Sequence, residues 1–483
     1  MEIPFERKNI SCCTQIFSTG IVSDSSIECV VPDTQEDIVH ILSSSFMPKI
    51  RSKDADFGRI TIRGDLSAAV LYYSAKGIEK LDVTLPINAD IPAPDCDNSC
   101  SVVADLKVAS YDVKVINPRK IAVYAGVSVS ISCYKNGEIQ VFEAPSELPP
   151  KLMIKEEKTE LNVIKTVTEK TFIIDEEFEA ADFEASQLLS CTASYCCDGC
   201  EAVGEKLIAR GHADIECISL CNGELKCRRF NAPFSQLFDI GSEGAGENEF
   251  IILSTGEYYE ISDGHLIAEI HALIQLVSCN KEELRYVSDA FSCLNELDVE
   301  YETLLRSVCT ECEIFADSIR LSYDAGEELS SVIYYKATCG KAMISDDSAA
   351  IPVTASVVFS TTGGEISAAR LHGKVEFNSE CKNASLVTHI ADISATVVGS
   401  KIDFRADVRL EKKTKALTET LIVSSICEGD VLPLPDYSVY LVNNSDSDIW
   451  SIAKKYRSDP ALIVNVNGLS EETRPKLLLV PVI

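Results

Sequence analysis

Cysteine is the residue type with the widest chemical latitude in this chain, which holds 20 of them in 483 residues. Two pairs have the spacing of metal or redox motifs: Cys197 and Cys200, preceded by Cys196, and Cys309 and Cys312. Together they would supply the four thiolates of a tetrahedral zinc site. Zinc ribbons bring their pairs close in sequence, and these lie a domain's length apart. Redox exchange or covalent cross-linking is a second reading. The preferred one is structural, because many of the cysteines (Cys133, Cys217, Cys279) sit in alternating apolar segments, where a thiol acts as a small hydrophobe. The glycine-rich stretch 241–248 lacks the Lys and Ser/Thr of a phosphate loop and carries Glu243 and Glu247, so it reads as a hairpin loop. The six histidines (His40, His212, His265, His271, His372, His389) form no metal-binding pair in sequence, and no nucleophile elbow is present. The expectation is a protein without catalytic residues, metal or cofactor.

Charge narrows the partners. The net charge of −31 opposes binding to nucleic acid, which needs a basic surface, and to anionic lipid. Hydrophobic residues make up 46% and charged ones 25%, which suits globular domains rather than a disordered acidic tail. No stretch approaches the ~20 apolar residues of a membrane span. The first ten residues carry Glu2, Glu6, Arg7 and Lys8, with no apolar run after them, so a cytoplasmic location is expected.

The elements that position these residues repeat. A strand, a four-residue turn and a longer strand occur around residues 117–120, 262–265 and 398–401, at intervals of about 140 residues. A second landmark keeps the same step: the strands running from Gly64 to Gly77, Gly211 to Gly223 and Pro352 to Gly364. Before each strand pair, residues 33–42, 182–189 and 324–333 place acidic residues ahead of apolar ones, the pattern of a short amphipathic helix. The expected fold is mainly β (α+β): three β-rich domains over 1–145, 155–291 and 293–428, each with one short helix. Pro-containing linkers are expected at 143–160 and 428–436, with a tighter join near 289–297.

The segment 437–483 has a different pattern: strand, helix, helix, strand. Asp459 and Pro460 read as an N-cap and first helical residue. Its five acids balance five bases, so the whole acidic surplus lies upstream. Trp450, the single tryptophan, is expected in the core of this segment, with a platform for sugar rings as the alternative.

Two resemblances follow from these residues. The run 449–456, with Asp459 to Ile463, Asn465 to Leu469 and Lys476 to Pro481, resembles a LysM domain. That family binds N-acetylglucosamine glycans between two loops, here Asn444 to Ile449 and Asn467, Gly468 and Leu469. Its usual Gly-Asp-Thr is replaced by Asp446, Ser447 and Asp448, which weakens the expectation of sugar binding. The three repeats resemble the SPOCS (SipL-type) domain of endospore formers, most clearly at Val31 to Asp33, Ile38 to Leu42, Gly64 to Tyr73 and Asn117 to Ile121. The second and third copies lack the Asn-Pro-Arg-Lys motif. SPOCS repeats followed by LysM imply a coat-assembly protein on the mother-cell side of the forespore. The resemblance further implies that LysM associates with a coat morphogenetic ATPase, stage IV sporulation protein A. For either partner, protein or glycan, the candidate surface is Asn444, Asp446, Ser447, Asp448, Lys454, Lys455, Asn467, Gly468 and Leu469. Because two carboxylates replace small and hydroxyl residues in the loop, segment 434–483 is predicted to bind chitin oligomers or peptidoglycan fragments weakly or not at all. Isothermal calorimetry reads this directly, and micromolar affinity would restore the glycan reading.

Overall fold

The computed structural model describes residues 2–3, 6–144, 148–180, 187–221, 224–240, 246–340, 342–345, 347–379, 384–433, 436–443, 448–469 and 476–482. After the two-residue strand β1 (Glu2–Ile3), one pairing scheme runs three times. The first set comprises β2 (Glu6–Val30), β3 (His40–Asp56), β4 (Arg59–Ser74), β5 (Gly77–Pro92), β6 (Ser101–Asn117) and β7 (Lys120–Glu143). The second comprises β8 (Leu152–Glu179), β9 (Gln187–Val203), β10 (Lys206–Cys221), β11 (Glu224–Asp239), β12 (Glu247–Ser262) and β13 (His265–Ser292). The third comprises β14 (Asn295–Asp324), β15 (Leu329–Cys339), the short β16 (Met343–Ile344), β17 (Ser348–Thr361), β18 (Ile366–Asn378), β19 (Ala384–Val398) and β20 (Lys401–Val431). In each set the first strand pairs with the last, the last with the one before it, and the others form an antiparallel meander. A final antiparallel pair, β21 (Val439–Asn443) with β22 (Leu477–Pro481), encloses α1 (Ile449–Tyr456) and α2 (Pro460–Asn467).

Strict alternation makes these strands. In β4, Ile60, Ile62, Leu66, Ala68, Val70 and Tyr72 point one way, and in β7 so do Ile121, Val123, Ala125, Val127, Val129 and Ile131. These two faces meet in one core, so each set is two small sheets packed face to face. Equivalent cores fill the second and third sets. The hairpins expected at 117–120, 262–265 and 398–401 close with Asn117 opposite Lys120, Ser262 opposite His265 and Val398 opposite Lys401.

The expected short helices are absent from the described residues. Residues 33–39 form turns and loop before β3, Gln187 to Leu189 open β9, and Leu329 to Ile333 open β15; 182–186 lie outside the described residues. The cause is a β-bulge at the same place in each set. Leu42, Leu189 and Ile333 are the extra residues, unpaired between neighbours that pair normally. A bulge breaks the two-residue period, so apolar residues fall at spacings that imitate a helix. The loop before β3 is held from across the sheet. Arg119 donates to the carbonyls of Val31 (3.0 Å), Pro32 (3.0 Å) and Gln35 (2.7 Å) and reaches Asp37 at 3.3 Å.

The three bulges converge. Leu42, Leu71 and Ile78 of the first set, Leu189, Ile218 and Leu225 of the second, and Ile333, Tyr334 and Val358 of the third form one apolar cluster. A second junction joins the long outer strands, where Ile3, Leu152, Val287, Val423 and Ile426 pack together. There β1 adds to β20, with Ile3 opposite Ile426, so the start of the chain pairs with the third set. Within the stretch 143–160, strand β7 runs to Glu143 and β8 begins at Leu152, and Leu152 packs at this junction. Likewise β20 continues to Val431.

Gly64 and Gly211, which begin the repeated landmark, occupy equivalent places. A methyl at Gly64 would run into the Lys49 carbonyl, and one at Gly211 into the Cys196 carbonyl and the Phe234 ring. Gly64→Ala and Gly211→Ala are each predicted to destabilise the fold by about 1–3 kcal/mol through overpacking, read as a lowered urea midpoint.

Candidate functional site

The C-terminal βααβ segment is built from its caps inward. Asp448 is the N-cap of α1 and accepts from the Ser451 amide at 2.6 Å. Asp459 caps α2 through the Ala461 amide at 2.7 Å, with Pro460 at the first helical position. Gly468 ends α2 with φ of +58°, a left-handed cap for which glycine is suited. Asn467 ties α2 to β22: its amide donates to the Ile463 and Leu479 carbonyls and its oxygen accepts from the Leu479 amide, all at 2.7–2.8 Å. Leu469 packs on the segment's core of Ile452, Ala453, Ile463, Leu478 and Val480. Asn444, Asp446 and Ser447 lie outside the described residues.

That core is not self-contained. Met153 and Phe291 of the second set, with Cys293 just after it, complete it. Trp450 meets Phe291 edge-on with ring centroids 4.9 Å apart. Its indole N–H donates to Asp289 Oδ2 at 2.8 Å. Lys454 donates to both oxygens of the same carboxylate, at 2.6 and 2.8 Å. Tyr301 adds its hydroxyl at 3.1 Å and the Ala290 amide donates at 2.8 Å. A bulge in β13, between Val287 and Asp289, sets this side chain at the hub.

Trp450 packs on the segment's core, as expected, and its ring and N–H also meet the second set, so it is not an open sugar platform. Lys454 stays exposed, as the helix pattern implies, while its ammonium pairs with Asp289. The sequence spacing of α1 correctly turns Ile452 and Ala453 inward, yet Asp289 carries no local signal that it would be their neighbour's partner. Lys455 remains on the outer side, 5.4 Å from the Tyr456 ring centre. Arg457 donates to the Pro433 carbonyl at 3.0 Å.

A second feature lies where the three sets meet. A cavity of about 670 Å³ is lined by Ser45, Ser190, Glu216, Arg229, Tyr334 and Lys336, among others. Tyr334 donates to Glu216 at 2.8 Å and Arg229 pairs with the same carboxylate at 3.1 Å. Lys336 donates to the Ser44 carbonyl of β3. Burial pushes the Lys336 ammonium down to about 8, with Glu216 opposing the shift.

Of the cysteine pairs singled out by spacing, Cys197 and Cys200 lie along one strand, Cys197 half-buried and Cys200 exposed. The side chains of Cys309 and Cys312 lie outside the described ones, as do residues 241–245 of the glycine-rich stretch. Cys133 and Cys217 are buried in apolar cores, as their pattern implies, and Cys279 is half-buried. His212 sits between Asp198 (2.9 Å) and Asp214 (3.4 Å) on an exposed strand surface.

Residues 37–116 match the family described as SipL, SPOCS domain. The match spans β3 to β6 and supports a sporulation-related role. Comparison with curated proteins gave no match, and comparison with solved structures gave none. Among the described residues, no helix is long and apolar enough to cross a membrane.

The Asp289 hub has a pH signature. Burial alone would raise this carboxyl, but the Lys454 ammonium and the Trp450 N–H outweigh it and hold it below its ordinary value. A depressed pKa in the docked state means that docking is fully supported above the ordinary carboxylate pKa, about 4, and weakens as pH falls below it. Asp289→Ala should loosen the segment by on the order of 1 kcal/mol, allowing for solvent screening at half-exposed Lys454. Trp450 is the sole tryptophan, so a red shift of its emission, in the variant or in acid, reports the release.

Proposed function

We propose that this chain is a non-enzymatic structural protein of the spore envelope that assembles on the mother-cell side of the forespore. In this reading, three SPOCS-like domains over 1–145, 155–291 and 293–428 form the body, and a LysM-like domain over 437–483 recruits it. The recruiting partner is a coat morphogenetic ATPase of the stage IV sporulation protein A type. The observation that carries the proposal is the SPOCS-domain match over residues 37–116, in a chain that ends in a βααβ segment. The strongly acidic body supports a protein partner over nucleic acid or an anionic membrane.

The face available for recruitment is narrower than the helix pattern implies. The Lys454 ammonium is paired with Asp289 although its side chain stays exposed, so the contact centres on Lys455, the loop with Asn444, Asp446, Ser447 and Asp448, and the outer side of Asn467, Gly468 and Leu469. A surface of mixed sign fixes docking register more than it adds affinity. A glycan-binding role on cortex peptidoglycan is the alternative. The Asn467 amide, fully committed to backbone partners, argues against it, because a sugar site in this groove needs free polar groups.

Deleting 437–483 is predicted to disperse a fluorescent fusion from the forespore surface, and Lys455→Glu to weaken its localisation without unfolding the domain. Normal localisation of the deletion would exclude this segment as the recruiting module and turn attention to the strand-rich body.

A further inference from the structure

We propose that Cys96, Cys100 and Cys133 form a thiolate site for one zinc ion inside the first strand set. Their sulfur atoms all lie within 4.8 Å of one another, and Cys96 Sγ is 3.2 Å from Cys133 Sγ. Tetrahedral zinc with Zn–S bonds of about 2.3 Å places its sulfurs roughly 3.8 Å apart, so small side-chain rotations bring all three onto one ion. Zinc also suits the donors, being a borderline-soft cation that thiolates select.

The scaffold resembles one built to hold ligands rather than to fill space. Cys133 projects from β7 into the core. Cys96 and Cys100 come from the loop between β5 and β6, which is fixed by successive backbone bonds. The Cys96 amide donates to Ala93, Gly58 donates to Cys96, and the Cys100 amide donates to Asp97, at 2.9, 3.0 and 3.1 Å. The Asp97 amide points at Cys100 Sγ from 3.4 Å, an N–H···S contact that favours the thiolate. Lys135 lies next to the site, bonded to Asp97 at 2.6 Å, and offsets part of the charge of three thiolates. Cys96 and Cys133 are buried, while Cys100 and Asp97 lie on the half-open side, where the fourth position opens.

Binding converts three thiols to three zinc-bound thiolates and releases three protons, with no oxidant or reductant needed. Sequence spacing missed this group because Cys133 joins the other two only through strand pairing.

The full chain, purified without chelator from zinc-supplemented cells, should carry about one zinc by elemental analysis. Cys96→Ser and Cys133→Ser should lose it, whereas Cys196→Ser should retain it. Cobalt reconstitution should give a thiolate-to-cobalt charge-transfer band that the first two variants lack. Because Cys133 is fully buried, Cys100→Ser is the milder control: it should lower zinc affinity at least tenfold while keeping the β-sheet circular dichroism of the parent. Absence of zinc from the parent, its retention in Cys96→Ser and Cys133→Ser, or a Cys96–Cys133 disulfide in the isolated protein would overturn the assignment.

Discussion

A β-strand offers each side chain only two directions, and a chain of three sandwiches must bury apolar residues in a third. The bulges at Leu42, Leu189 and Ile333 meet that constraint. Each inserts one residue into the strand that opens its meander and turns it out of its own sandwich toward the common cluster. Without them the same strands would present only their alternating outer faces to one another. The three sandwiches would then lack a shared apolar centre and would be left to the clusters along their flanks, among them the junction of the long outer strands. Strands of 28 to 31 residues far exceed the usual ~5–6. Their extra length carries the second and third sets out to their common junction.

The acidic surplus makes this junction harder to hold, since like charges repel across a compact body. The chain places cations at the seams. Lys53 of the first set is almost fully buried against Gln275 of the second, at 2.6 Å. Gln275 in turn mimics a strand neighbour for Ala104, accepting at 2.9 Å and donating at 2.8 Å. Lys336 joins the third set to the first, and Tyr334 with Glu216 joins it to the second. Arg370 of the third set stacks over Tyr111 of the first at 4.7 Å, on the same seam as Lys336. Buried polar groups of this kind add little net stability, because desolvation offsets their attraction. What they add is register: an apolar seam tolerates sliding, whereas a buried ammonium with one acceptor does not.

Much of the strand content could be read from alternation, as in residues 121–131, and the hairpins from their turns. The helices at 33–42 and 324–333 could not be read correctly, because a bulge shifts apolar spacing by one residue and the outcome resembles a helical stripe. Parts of the stretches 143–160 and 428–436, expected as linkers, are strand: Leu152 to Glu160 in β8 and Glu428 to Val431 in β20. Proline and charge mark a break in local structure, but Leu152 and Ile154 are claimed by a junction formed from distant segments. In the C-terminal segment the helix pattern located Ile452 and Ala453 correctly and Pro460 at its cap. It gave no hint of Asp289, whose role exists only once β13 is folded. The Arg119 hub shows the opposite case: residues 31–33 and 117–121 look like separate motifs in sequence and turn out to be two halves of one contact.

The docked C-terminal segment constrains any recruitment mechanism. The face holding Trp450 and Lys454 lies in the same chain as its acceptor, and an intramolecular contact acts at a higher effective concentration than a free partner reaches. A free partner at cellular concentration must therefore exceed the internal contact by several kcal/mol to displace it, or leave it intact and bind elsewhere. The second course needs no opening step and keeps the segment in a fixed orientation on the second strand set. On the proposed reading, a partner that polymerises would meet the segment and the acidic sandwiches in one constant relation. Such an arrangement suits assembly, because successive copies add in register only if the two surfaces do not move independently.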